Sequence, residues 1–195
     1  MIKSSAKGFT LIELLIVIAI LAILATVVLI VINPVQMFAQ ARDSQRIYDL
    51  NTLSSAVSLY LTTVASPSLQ GGSAYGTCVA NCWASLTGVT CTFATKTALN
   101  ASASFTSAVD GSGWIPVDLN EISGGSPISA LPKDPSNTTT YFYEYACDNT
   151  NKWFEFAANM ESTRYSNGGS DDVESTDGGV VSTIYEVGNN PGLNF

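Results

Sequence analysis

The stretch Phe9–Ile32 reads F-T-L-I-E-L-L-I-V-I-A-I-L-A-I-L-A-T-V-V-L-I-V-I, 24 residues with a single ionisable side chain, Glu13. Coiled as a helix it extends roughly 36 Å, enough to cross a bilayer. Residues 1–8 precede it as M-I-K-S-S-A-K-G, with Lys3 and Lys7 the only charged side chains. Positive charge before the span and no basic cluster after it predict an N-in, C-out orientation. A secretory signal peptide has a shorter apolar core followed by a small-x-small cleavage site. This core is long and runs into Asn33-Pro34, so it reads as a retained segment.

Glu13 sets this span apart from a plain anchor. A carboxylate near the edge of a hydrocarbon span is costly if it stays charged and unpaired, so something must compensate it.

The rest of the chain has a different character. Apolar residues make up 46% of the whole but crowd into the first quarter, while the remainder is rich in Ser, Thr, Gly, Asn and Tyr. That pattern is an apolar segment joined to a polar, β-leaning domain. Only 12% of residues are charged, the net charge is −8 and the cations are scattered. Nucleic acid is therefore not expected as a partner, because phosphate neutralisation needs grouped cations. The chain has no histidine, which removes the commonest general base and a leading metal ligand.

After Pro34 the pattern turns amphipathic. Phe38, Ala41, Ile47, Leu50, Leu53, Val57, Tyr60 or Leu61, and Val64 recur mostly at spacings of three and four, predicting a helix over 33–65 with one stripe to bury. Arg42, Asp43, Gln45, Arg46, Asp49 and Asn51 fall largely on other faces. The charged turn Arg42–Arg46 is read either as a solvated face or as a source of salt links to adjacent subunits.

The segment from Pro67 to about Gly113 reads as a loop-rich connection, with a short helix around Ala98–Val109. Four prolines between Ile115 and Pro135 predict extended pieces and turns. Two aromatic runs, Tyr141–Ala146 and Lys152–Ala158, flank the turn composition Cys147–Asn151 and predict an antiparallel hairpin. Val180–Val187 is a third strand candidate. The four cysteines, Cys78, Cys82, Cys91 and Cys147, all follow the apolar segment, and their even number favours two disulfides in an oxidising compartment. Three pairings are possible and the spacing selects none. A zinc site of four thiolates is the other reading, although the spacing lacks paired short knuckles.

The block Lys7-Gly8-Phe9-Thr10-Leu11-Ile12-Glu13 resembles the processing site of type IV prepilins and pseudopilins. The resemblance implies cleavage between Gly8 and Phe9 by a prepilin peptidase, which also methylates the new N-terminus on Phe9. It implies that Glu13 pairs with the α-amino group of a neighbouring subunit's Phe9 during assembly. The segment Leu131–Asn137, followed by Tyr-x-Tyr-x-Tyr and a second aromatic strand, is similar to the head of pilins and major pseudopilins. Residues 67–130 carry none of the resemblance. Many pilins have helix-breaking residues inside the apolar span, whereas here no glycine lies between Gly8 and Gly71 and the break falls at Pro34.

The fold expected is α+β: a leader over 1–8, a transmembrane and assembly helix over 9–32, an amphipathic helix over 33–65, and a head over 66–195. In that head the long helix packs on a small antiparallel β-sheet. The tail 167–179 is Gly- and Asp-rich, and the major pseudopilins carry a calcium site in such a loop. Asp171, Asp172 and Asp177 are the candidate ligands, although the spacing is not that of an EF-hand. Asn100-Ala101-Ser102 and Asn137-Thr138-Thr139 match the short N-glycosylation pattern.

Three functions compete. The first is a type IV pilin, a non-enzymatic subunit stored in the inner membrane and then built into a surface filament for adhesion, motility or DNA uptake. Its partners are other copies of itself, the prepilin peptidase and an inner-membrane assembly platform. No cofactor is required beyond the candidate calcium. The second is a major pseudopilin of a type II secretion system, or a minor or competence pilin. The third is an enzyme or binding protein anchored on a single helix, disfavoured by the missing histidine, the lack of any nucleophile–base pair or phosphate loop, and a Glu13 it leaves unexplained.

Overall fold

Residues 8–71, 77–79, 81–93, 95–96, 98–99 and 106–195 are described in the computed structural model. The chain divides into two compact units, Met1–Phe38 and Ala39–Phe195.

In the first unit, α1 (Leu11–Ile32) has no buried residue. Its unbroken Leu, Ile, Val and Ala favour helix once the backbone must satisfy its own hydrogen bonds, as it must in lipid. At 22 residues it is roughly 33 Å long, a bilayer's hydrocarbon thickness. It ends at Asn33, which takes a left-handed φ of 44° and donates its N–H to the Leu29 carbonyl at 3.3 Å. Asparagine tolerates that conformation better than the β-branched residues before it. Pro34 then opens α2 (Pro34–Thr63), at the one helical position where its missing N–H costs nothing.

The second compact unit begins within α2, at Ala39, and so takes in most of the amphipathic helix expected over 33–65 as well as the head expected from residue 66. Val35, Met37 and Phe38 are exposed, and Ala39 is the first buried residue of α2. Phe38 and Ala41 therefore do not belong to the buried stripe, which runs Ala39, Asp43, Arg46, Asp49, Leu50, Leu53, Ala56, Val57 and Tyr60. Its first half is polar and its second half apolar.

The sheet has five strands: β1 (Asn81–Ala84), β2 (Ala98–Leu99), β3 (Tyr143–Asp148), β4 (Trp153–Ala158) and β5 (Tyr185–Gly188), in the order β2-β1-β3-β4-β5. The β1-β3-β4-β5 ladder is antiparallel, whereas the two-residue edge strand β2 pairs with β1 in parallel. The small antiparallel sheet expected is thus present, with one short parallel strand added at its edge. The hairpin register sets Tyr143 opposite Ala158 and Asp148 opposite Trp153. Asp148 accepts the N–H groups of Thr150 (2.7 Å) and Asn151 (3.1 Å) in a turn that opens two residues later and closes one residue later than the composition alone placed it.

Alternation assigns the two faces. Tyr143, Tyr145, Phe154 and Phe156 share a core with Leu50, Leu53, Val57 and Tyr60 of α2 and with Trp83 and Trp114. Tyr145 and Phe156 stack with centroids 5.1 Å apart, and Trp83 tilts onto Tyr145 at 5.7 Å. Their polar tips are satisfied: Tyr143 Oη donates to Asp49 at 2.8 Å and Tyr145 Oη to the Leu69 carbonyl at 3.0 Å. The opposite face is also covered, by Phe93, Ile184 and Phe195 over Cys82, Ala146 and Ala157. Glu144, Glu155 and Glu186 are therefore buried.

Cys78 is joined to Cys147 and Cys82 to Cys91, which fixes the pairing that spacing left open and rules out a four-thiolate zinc site. The first bond ties β3 to the segment before β1, and the second pins the loop after β1. The helix expected at 98–109 is not formed at its described ends: 98–99 is β2, 106–109 is irregular, and 100–105 lie outside the described residues.

Candidate functional site

The N-terminal site is built on Thr10, the N-cap of α1. Its hydroxyl accepts the Glu13 N–H at 3.2 Å, while Glu13 Oε2 accepts the Thr10 N–H at 2.9 Å and the Thr10 hydroxyl at 2.7 Å. This reciprocal capping box satisfies helix-end donors that lipid would leave unpaired. Glu13 also places negative charge against the positive end of the helix dipole. Gly8, Phe9 and Thr10 precede the helix in irregular, exposed backbone. A Cβ built on Gly8 would meet nothing within 4 Å, so the Gly8–Phe9 bond stands clear of its surroundings. The remaining leader residues, 1–7, lie outside the described set.

The second place singled out was the acidic tail. Asp171 is paired with Arg164. Asp172 accepts the N–H groups of Gly168 (2.8 Å) and Ser175 (2.9 Å), and the Ser175 contacts first among these hold its pKa down at about 2. Asp177 accepts those of Gly179 (2.8 Å) and Glu186 (2.6 Å). Asp172 and Asp177 thus shape their local turns, while Asp171 is engaged in an ion pair. Among the described residues the three do not converge as a metal-ligating group; the donors that do are Cys82, Cys91 and Glu144, two of them disulfide sulfurs. Asn137 is exposed, while Asn100 lies outside the described residues.

Residues 3–29 match the family described as the prokaryotic N-terminal methylation motif. The chain carries the signature of a type IV pilin or pseudopilin. No curated protein and no solved structure matches it. The motif spans Lys3, the Gly8–Phe9 junction, the Thr10–Glu13 capping box and most of α1. Together with one helix long and apolar enough to cross a membrane, it fits a membrane-anchored pilin-like precursor.

In the pilin-like head, the charged turn is not wholly a solvated face: Ser44 and Gln45 are exposed and Arg42 is half-buried, but its remaining charges are turned inward. Arg46 and Asp43 are fully buried. Arg46 holds Asp134 through two bonds, Asp43 at 2.7 Å and Glu161 at 3.4 Å, and Arg42 also pairs with Glu161. Asp43 in turn accepts the N–H groups of Glu161 (2.9 Å) and Ser162 (2.8 Å). Burial disfavours the Arg46 charge, but the bonds to Asp134 and Asp43 outweigh it and raise its pKa. The network locks α2 to the loop before β3 and the loop after β4. Sequence reasoning missed it because Asp134 and Glu161 lie 88 and 115 residues from Arg46. The one available signal was charge recurring at Asp43, Arg46 and Asp49, the helical spacing of the stripe itself.

Proposed function

We propose that the chain is a structural subunit of a type IV pilus, cut between Gly8 and Phe9, methylated on Phe9 and polymerised through α1 into an extracellular filament. The observation that carries this reading is α1 itself: apolar and exposed along its whole length, opening directly after Gly8-Phe9-Thr10, with Glu13 its only ionisable group. An isolated helix of that kind calls for two successive surroundings, lipid in the precursor and other α1 helices in the fibre.

Cleavage after Gly8 would place a new ammonium group at the positive end of the α1 dipole, where a cation is disfavoured. Both described bonds to the Glu13 side chain fall on Oε2, so Oε1 can accept the Phe9 ammonium of a neighbouring subunit. That pairing sets the axial register of one copy on the next. The partners are further copies of the chain, the prepilin peptidase and an inner-membrane assembly platform. The role is structural, in keeping with a chain lacking histidine and with the generally non-enzymatic nature of pilin-type proteins.

A secretion pseudopilin or a minor pilin shares all the N-terminal features. The surface pilus is favoured by a head stapled by two disulfides, an arrangement suited to exposure outside the cell. The processing step is tested by intact-mass spectrometry of membrane-extracted protein from cells with and without the peptidase. Expected is a chain starting at N-methyl-Phe9 only where the peptidase is present, and an uncut Gly8→Ala variant. Cleavage elsewhere, or normal processing of Gly8→Ala, contradicts the reading.

A further inference from the structure

Glu155 on β4 and Glu186 on β5 lie on the sheet face turned away from α2. The register pairs Glu155 with Gly188 and Ala157 with Glu186, which makes the two glutamates diagonal neighbours. Both are buried, at 0% and 1% exposure, and their carboxyl groups are within hydrogen-bond reach of each other. Asn190 joins them, 4% exposed, donating Nδ2 to Glu155 Oε2 at 3.1 Å.

Three oxygens at this spot have no donor: Glu155 Oε1, Glu186 Oε1 and Asn190 Oδ1. The other carboxylate oxygens are supplied, Glu186 Oε2 by the Val181 N–H (3.1 Å) and Glu155 Oε2 by Asn190 and the Phe195 N–H (3.5 Å). Asp177 adds a third negative charge, its Oδ2 accepting the Glu186 N–H. None of the ion pairs among the described residues includes Glu155 or Glu186. Gly179 lets the backbone pass directly over the cluster, since a Cβ there would stand 2.0 Å from Glu186 Oε2. A cleft of about 420 Å³, lined in part by Asp177, Glu186, Gly188 and Asn190, borders it.

Two buried carboxylates side by side need either a proton or a cation between them. We propose that Glu155, Glu186 and Asn190 bind a divalent cation of the calcium class, with the three orphaned oxygens as ligands and water from the cleft completing the shell. A set of only oxygen donors, two of them anionic, is the chemistry such a hard cation selects. The site differs from the tail carboxylates Asp171 and Asp172, whose oxygens are already engaged. Burial and the neighbouring Glu155 push the Glu186 carboxyl up to about 8, so the pair without a cation resists full ionisation at neutral pH.

The test is thermal unfolding of the full chain in detergent, with calcium chloride or with a chelator, alongside a terbium luminescence titration. Calcium at a hundredfold excess over its Kd is expected to raise Tm by roughly 5–10 °C. The double variant Glu155→Gln with Glu186→Gln loses that shift, whereas Asp172→Asn keeps it. The terbium titration of the unaltered chain, with calcium competing terbium off, reads binding even if the double variant fails to fold. A Tm indifferent to calcium, with no terbium signal, overturns the proposal and leaves a shared proton as the occupant. A shift lost in Asp172→Asn but kept in the double variant overturns it too, by moving the cation to the tail.

Discussion

The guanidinium of Arg46 on α2 grips the carboxylate of Asp134 in a two-pronged pair, Nε to Oδ2 at 2.6 Å and Nη2 to Oδ1 at 2.9 Å, with both side chains sealed from solvent. Asp134 Oδ1 also accepts the N–H groups of Ser136 (2.8 Å) and Asn137 (3.1 Å), so the pair anchors the loop that leads into β3. Removing one member strands a buried charge. Asp134→Ala or Arg46→Ala should destabilise the head by about 3–5 kcal/mol in denaturant unfolding. An exposed pair would change stability by about 1 kcal/mol or less, and that outcome would return the turn to the surface.

Glu13 caps its own helix, and under the proposed function it has a second, separable duty, pairing with a neighbouring subunit. Thr10→Val removes the capping hydroxyl but keeps the carboxylate, so filaments should still form. Glu13→Ala should be cleaved and methylated normally while filament yield falls roughly tenfold or more, as expected on losing one partner of a desolvated pair. Equal losses in the two variants, measured by quantifying sheared protein, would reduce Glu13 to a cap.

The two disulfides close loops of very different length, with sequence separations of 69 and 9. On chain-entropy grounds, replacing Cys78 and Cys147 by Ser should cost about 4 kcal/mol, and replacing Cys82 and Cys91 about 3 kcal/mol. Urea midpoints of the variants check both. A negligible loss at Cys78–Cys147 would mean that the core, not the bond, orders the segment before β1.

Glu144 lies in the sheet face opposite α2, 2% exposed, accepting the Thr92 N–H. Burial raises its carboxyl pKa to about 7, against bonds from Thr92 that lower it. The folded head therefore binds the proton more tightly than the unfolded chain. This stabilisation is complete below the unfolded pKa near 4.5 and is lost as pH rises to about 7. Relative to Glu144→Gln, the unaltered chain should lose up to about 3 kcal/mol between those limits. A flat difference across this window would show the carboxyl to be ionised throughout.

The parts legible in the sequence were those set by local pattern. An apolar run of helical length, aromatic alternation and a turn composition placed α1, the second half of α2 and the β3–β4 hairpin. What stayed hidden depends on distant partners. Asp43, Arg46 and Asp49 look like a solvated helix face until Asp134, Glu161 and Tyr143 are brought against them. β1 was concealed in a Cys- and Gly-rich stretch because its four residues, Asn81–Ala84, owe their strand form to pairing with β3. The same holds for Glu155 and Glu186, buried only because Phe195 and the 178–184 turn close over the second face.

The central claim is that α1 builds a fibre. The most direct measurement is electron microscopy of sheared cell-surface material combined with mass spectrometry of the same fraction. The account predicts long fibres containing this chain, beginning at N-methyl-Phe9. Processed protein confined to the cell envelope, with no fibres in the sheared fraction, would contradict the surface pilus and assign the chain to a pseudopilus.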